Sequence, residues 1–246
     1  QKCDVLIAVG MRFDDRITGK LDTYARQAKI IHFDIDTSEF NKNVKVDVAV
    51  PGDCKHTLQA VTALLNEREH TEWRESFRLY DREEAAKIIL PQTQPDSGPL
   101  RMAEVVRKVS EMTRNEAILV TDVGQNQMFA ARYFKFTKKR SLATSGGMGT
   151  MGYGLPAAIG ATFGAPDRTV CLFLGDGGLQ MTIEELGTIM EQGAPVKIIL
   201  LNNNYLGNVR QWQALFFKRR YSFTPMMNPD YEKIAQAYNI PVRTVT

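Results

Sequence analysis

Residues 169–178 read Thr169-Val-Cys-Leu-Phe-Leu-Gly175-Asp176-Gly177-Gly178. A short apolar run closed by glycines reads as a buried strand of a parallel sheet. After Leu179 the apolar spacing changes to that of an amphipathic helix. Twenty-four residues separate Gly177 from the pair Asn202-Asn203, which ends the next apolar run, 196–201. Two polar clusters thus fall at the carboxyl ends of parallel strands, where open α/β sheets bind ligands.

The same alternation extends outward in both directions. Strands are expected over 5–10, 29–36, 44–50, 117–123, 169–174, 196–201 and 242–245. Helices are expected over 55–66, 72–87, 100–112, 127–134, 156–163, 182–191, 209–217 and 231–238. Strand alternating with helix predicts an α/β fold of doubly wound parallel sheets. Residues 90–99 (LPQTQPDSGP) interrupt the alternation with three prolines, a glycine and a serine. They are the natural linker. The expected organisation is a first domain over 1–89, a linker over 90–98 and a second domain over 99–246. Three strands are few for a free-standing doubly wound domain, and the chain opens abruptly on a strand. Both features lead us to expect a carboxyl-terminal portion of a longer protein.

Composition narrows the function. Of 246 residues, 43% are hydrophobic and 24% charged, ordinary for a globular protein. The net charge of +3 is too small and scattered for a nucleic-acid footprint, so no nucleic-acid partner is expected. No apolar run is long enough to span a membrane, and none is expected. The three cysteines, Cys3, Cys54 and Cys171, have no metal-ligand spacing and fit a reducing compartment.

The polar clusters suit a metal-bound diphosphate. Asp176 offers a hard carboxylate oxygen and Asn203 an amide oxygen, and Mg2+ takes few protein oxygens beside phosphate oxygens. Gly177 and Gly178 lack a Cβ, so backbone can approach an anion closely. The amino terminus of the following helix favours the same anion. Singly, Gly-Asp-Gly is a turn and Asn-Asn a loop. Together at this spacing they resemble the motif of the thiamine-diphosphate enzymes. That resemblance implies Mg2+ held by Asp176, Asn203 and the carbonyl of Tyr205, and diphosphate lying along Gly175, Asp176, Gly177 and Gly178. Upstream, Val123-Gly-Gln125-Asn126-Gln-Met128 resembles the family's second diphosphate loop, with Asn126 standing where relatives often have His. Either side chain could donate to phosphate.

Gly147-Met-Gly149-Thr-Met151-Gly152 satisfies G-x-G-x-x-G. Residues 141–145 are a poor strand and no acidic strand end follows at the right distance, so we reject a nicotinamide site. The wider stretch 145–160 resembles the acetolactate synthase segment around the middle of thiamine diphosphate. By that resemblance Met151 would hold the cofactor bent and the Gly149 carbonyl would face its 4′-amino group. Leu206-Gly-Asn208-Val-Arg-Gln211-Trp212-Gln213 resembles the same family's helix beside the substrate channel. Trp212 matches the residue linked to preference for 2-ketobutyrate, and Asn208 departs from the usual Met. The candidate catalytic residues are therefore Met151, Gly149 and Trp212.

The first segment carries Gly10-Met-Arg12-Phe-Asp-Asp-Arg16, His32-Phe-Asp34-Ile35-Asp and Pro51-Gly52-Asp53. These blocks resemble the family's middle domain, where they contact FAD. Arginine suits phosphate and a strand-end aspartate suits ribose hydroxyls. Gly10, Arg12, Arg16, Asp34, Ile35, Gly52 and Asp53 are the candidate FAD residues.

The resemblance implies decarboxylation of pyruvate and condensation with a second 2-keto acid, pyruvate or 2-ketobutyrate. It implies a homodimer or homotetramer, scope for a small regulatory subunit, and a cytoplasmic or organellar location. The family's activating glutamate belongs to a domain outside this chain, so the chain by itself is expected to be inactive. Glu184 and Glu185 read as helix surface or packing residues. Two other readings stand beside this one: another flavin-containing thiamine enzyme, of the pyruvate oxidase or glyoxylate carboligase type, and a non-catalytic scaffold. Trp212 with its flanking glutamines argues against the first, the intact metal motif against the second.

Overall fold

The computed structural model describes residues 2–246 and divides into two compact units after Arg74. In the first unit a three-stranded parallel sheet has the order β1 (Val5–Val9), β2 (Lys29–Asp34), β3 (Val48–Pro51). Helix α1 (Asp15–Thr18) follows β1, α2 (Cys54–Thr62) follows β3, and α3 (Thr71–Glu84) begins in this unit. Ala8, Phe13 and Ile30 form its small core, with Val44 and Val46 packed against them. Residues 44–46 thus fill the core as a loop, although the expected strand began at 44. The Asp47 carboxylate accepts the Ile30 N–H at 2.8 Å and sends the chain into the sheet only at Val48.

The second unit continues α3 through a π-helical stretch, Ala85–Ile89, into α4 (Leu90–Thr93). The first part of the expected linker is therefore helical. Pro91 has no N–H to give to the preceding turn, and the helix is π-helical there, over Ala85–Ile89. Arg101 donates to the Pro91 carbonyl at 2.6 Å and Arg107 to that of Thr93 at 2.9 Å, so the segment is tied to α5 (Met102–Met112).

Then come β4 (Ile118–Thr121), α6 (Gln125–Tyr133), β5 (Leu142–Thr144), α7 (Gly154–Gly164), β6 (Val170–Gly175), α8 (Asp176–Met181), α9 (Glu185–Gln192), β7 (Lys197–Leu201), α10 (Gly207–Phe216) and α11 (Tyr231–Ala237). The sheet is parallel throughout, in the order β5-β4-β6-β7. Helix follows β6 at once, at Asp176 rather than after Leu179, and breaks at Thr182 before α9. Residues 141–145, read as a poor strand, do supply β5. Its pairing with β4 is fixed by a 2.7 Å bond between the Thr121 and Thr144 hydroxyls, a contact no local pattern announces. Residues 242–245 form no strand.

The alternation along β6 builds a core on each face of this sheet. Val170, Leu172 and Leu174 pack with Leu155, Ala158 and Ile159 of α7 and with Leu186 and Ile189 of α9. Cys171 and Phe173 pack on the other side with Val106 of α5 and Ala130 and Phe134. Burial pushes the Cys171 thiol up to about 11 from 9.0. That shift favours folding below about pH 9 and the advantage is lost as pH rises through about 11. Iodoacetamide at pH 8 should label the half-exposed Cys3 and Cys54 and spare Cys171 until the chain is unfolded in urea. Mass spectrometry of the peptides would show this, and early Cys171 labelling would mean that this core opens locally.

Candidate active site

The chain runs from β4 outward to β5, then returns through α7 to β6 on the other side of β4. The carboxyl ends of β4 and β6 therefore flank a topological switch point, where such sheets open a crevice. A cleft of about 200 Å³ lies there. Gln125, Asn126, Gly149, Met151, Gly175, Asp176, Gly177, Gly178, Asn203 and Tyr205 all line it, so the structure brings together every residue singled out for thiamine diphosphate and its metal. Asn208 lines it too, whereas Trp212, Glu184 and Glu185 do not. Trp212 stacks on Phe216 at 4.9 Å, one residue round the helix from Gln211, which accepts the Gln125 amide at 2.9 Å.

Asp176 is 2% exposed, and it is the only charged side chain in the cleft lining among the described residues. One carboxylate oxygen accepts the Gly177 N–H at 3.1 Å and the other the Asn228 amide at 2.6 Å. Both donors are neutral. A buried carboxylate whose bonded partners carry no positive charge suits a cation. Asn203 Oδ1 accepts the Tyr205 N–H at 3.0 Å, a turn that holds this loop beside the cleft. The Arg210 guanidinium lies 4.3 Å from the Tyr205 ring and 3.8 Å from that of Tyr221, which fixes Tyr205 from outside by cation–π attraction. Oxygen donors of this kind fit Mg2+.

Asp122, which sequence reasoning passed over, organises the opposite wall. It is fully buried at the end of β4. Its carboxylate accepts N–H groups from Val123 at 2.8 Å, Gly152 at 3.3 Å and Gly154 at 2.8 Å. It thereby anchors the glycine loop whose left-handed Gly149 (φ 64°) and Met151 form the cleft wall. The same geometry argues against a dinucleotide at G-x-G-x-x-G. The N–H groups ahead of α7 that would meet a phosphate already hold the protein's own carboxylate. Of the two grounds for rejecting that motif, the poor strand does not hold, since β5 forms.

Asn126 departs from its expected role. Its amide donates to the carbonyls of Asp122 at 2.9 Å and Phe173 at 3.2 Å, which occupies both hydrogens. The side chain ties β4 to β6 and has no donor left for phosphate.

In the first unit, Gly10, Asp34 and Ile35, and Gly52 and Asp53 fall at the carboxyl ends of β1, β2 and β3. Gly10 donates to the Phe33 carbonyl at 2.8 Å and Gly52 to that of Asp34 at 2.9 Å, which holds the three ends level. Arg12 and Arg16 extend from the loop and from α1, Arg12 lying 3.4 Å from the half-buried Asp14. Asp53 caps α2 by accepting N–H groups from Lys55 at 2.9 Å and His56 at 3.3 Å, a structural duty in its own right.

No helix among the described residues is long and apolar enough to cross a membrane. Comparison with known proteins bears directly on this architecture. Residues 122–246 match the thiamine pyrophosphate enzyme, C-terminal TPP binding domain, and residues 1–61 match the thiamine pyrophosphate enzyme, central domain. The acetolactate synthase isozyme 2 large subunit of Escherichia coli is 41% identical over 247 residues, covering 100% of this chain and 44% of that protein. An acetolactate synthase of Mycobacterium leprae is 43% identical, covering 96% of this chain and 39% of the relative. The chloroplastic acetolactate synthase 2 of Nicotiana tabacum is 41% identical, covering 99% and 38%. The chain thus spans about two-fifths of the length of these curated relatives. With its switch-point cleft, its Gly-Asp-Gly strand end and more than half its length matched by the cofactor-binding domain, the chain belongs to the thiamine pyrophosphate enzyme family.

Proposed function

We propose that this chain forms part of an acetolactate synthase large subunit, which decarboxylates pyruvate and joins the two-carbon remainder to a second 2-keto acid. The observation that carries the proposal is the cleft at the β4/β6 switch point, where Asp176 is the lone charged lining residue among the described residues. The identity of about two-fifths with enzymes named acetolactate synthase supports the choice within the family.

Thiamine diphosphate, when bound, supplies the electron sink for loss of carbon dioxide. This chain's residues bind and orient it. Asp176, Asn203 and the Tyr205 carbonyl would hold Mg2+ against the diphosphate, beside Gly175, Gly177 and Gly178. Gly149 and Met151, fixed by Asp122, would support its middle. Gln125, braced by Gln211, would border the diphosphate end. In the first unit Gly10, Arg12, Arg16, Asp34, Ile35, Gly52 and Asp53 would contact FAD. By the same reading a second copy, and a small regulatory subunit, are the expected partners.

The test is product identity. Given pyruvate, thiamine diphosphate, Mg2+ and FAD, the protein at its relatives' full length should release acetolactate. Acetate or peroxide instead would move it to a pyruvate oxidase type.

A further inference from the structure

One side chain, from neither element, hydrogen-bonds both Asp176 and the loop after β7. Residues 224–226 run antiparallel to residues 204–206, with Leu206 donating to the Thr224 carbonyl at 2.9 Å and Met226 to that of Asn204 at 2.8 Å. This strap delivers Asn228 to Asp176. Its amide nitrogen lies 2.6 Å from Asp176 Oδ2, 2.9 Å from Asn202 Oδ1 and 3.0 Å from Asn204 Oδ1. The amide is oriented from behind, because Gln180 donates to Asn228 Oδ1 at 2.9 Å and so turns the nitrogen toward the carboxylate. Gln180 also donates to the Tyr231 hydroxyl at 3.2 Å, and that hydroxyl donates to the Asp176 carbonyl at 3.3 Å.

We infer that Asn228 is a positioning residue for the divalent-cation site, fixing the Asp176 carboxylate against the 202–205 loop. The inference rests on the metal role proposed for Asp176. Its physical basis is the charge of the donor. Lysine or arginine at this place would neutralise Asp176 and compete with a cation. A neutral amide restrains the carboxylate and leaves its full negative charge for the metal. Supporting partners of metal ligands typically contribute about tenfold to a hundredfold in affinity.

The experiment is titration of Mn2+ into the protein at its relatives' full length, at saturating thiamine diphosphate, with free Mn2+ read by electron paramagnetic resonance. Asn228→Ala should weaken Mn2+ by about tenfold to a hundredfold, while its melting temperature without cation matches the parent's. Should the variant melt early, Gln180→Leu carries the test, since it removes the group that orients Asn228 without touching Asp176. Parental Mn2+ affinity in a folded Asn228→Ala, or in Gln180→Leu where that is needed, overturns the inference. An Asp176→Ala arm separates the two proposals. If the parent binds Mn2+ and Asp176→Ala does not, the metal reading stands whatever Asn228 does. A parent that binds no Mn2+ removes both.

Discussion

Asp176→Asn should abolish Mg2+-dependent binding of thiamine diphosphate, with a loss larger than the roughly hundredfold expected of a supporting residue. The substitution keeps the shape and an acceptor for the Gly177 N–H; it removes the charge and turns the oxygen that faces the Asn228 amide into a donor. Asp176 is the only charged group in the cleft lining among the described residues, and its bonded partners are neutral amides. No other lining side chain can replace its Coulomb attraction for a divalent ion. The parent chain should gain about 2.7 kcal/mol of stability at a ligand concentration a hundred times the Kd, seen as a rise in Tm. Asp176→Asn should show no rise. Its Tm without ligand should stay close to the parent's, because relief of a buried charge without an opposite charge is offset by the donor set against the Asn228 amide. Calorimetric titration and a thermal shift with and without Mg2+ measure both. Saturable Mg2+-dependent binding by Asp176→Asn would mean that the cation sits elsewhere.

Gly178→Ala should destabilise the chain by about 3 kcal/mol or more, and Gly177→Ala by clearly less. A Cβ on Gly178 would lie 2.4 Å from Asp122 Oδ1 and 2.8 Å from its Cγ. Asp122 cannot give way, because its carboxylate is held by the N–H groups of Val123, Gly152 and Gly154. Moving it would strand buried donors at about 1–3 kcal/mol each and release the loop that carries Met151. A Cβ on Gly177 meets Leu206 Cδ2 at 2.9 Å, the end of a flexible side chain. Gly147, which has nothing within 4 Å, is the control. Urea midpoints at constant slope rank the three variants. Equal midpoints for Gly178→Ala and Gly147→Ala would show that Asp122 is mobile.

The sequence alone determined where the candidate site lies. Buried parallel strands are written as short apolar runs, and their carboxyl ends are marked by Gly-Asp-Gly and Asn-Asn at 175–178 and 202–203. Parallel order then carries those ends to one edge of the sheet, so ten residues chosen by motif meet in one cleft. That inference needed local patterns, a topological rule and, for Gln125, Asn126, Gly149, Met151 and Tyr205, the resemblance to the thiamine-diphosphate enzymes.

Tertiary structure decided what each group does there. Sequence assigned Gly178 to the approach of a diphosphate, but the space its missing Cβ leaves is needed by Asp122, 56 positions earlier. Asn126 looked like a phosphate donor until its hydrogens met two carbonyls, one of them on β6. Asn228 is joined to Asp176 across 52 residues, and β5 exists because β4 is there to pair with it. Periodicity and spacing report the chain's own neighbours. A hydrogen bond or a missing Cβ is set by whatever the fold brings alongside, and that partner leaves no mark in the local sequence.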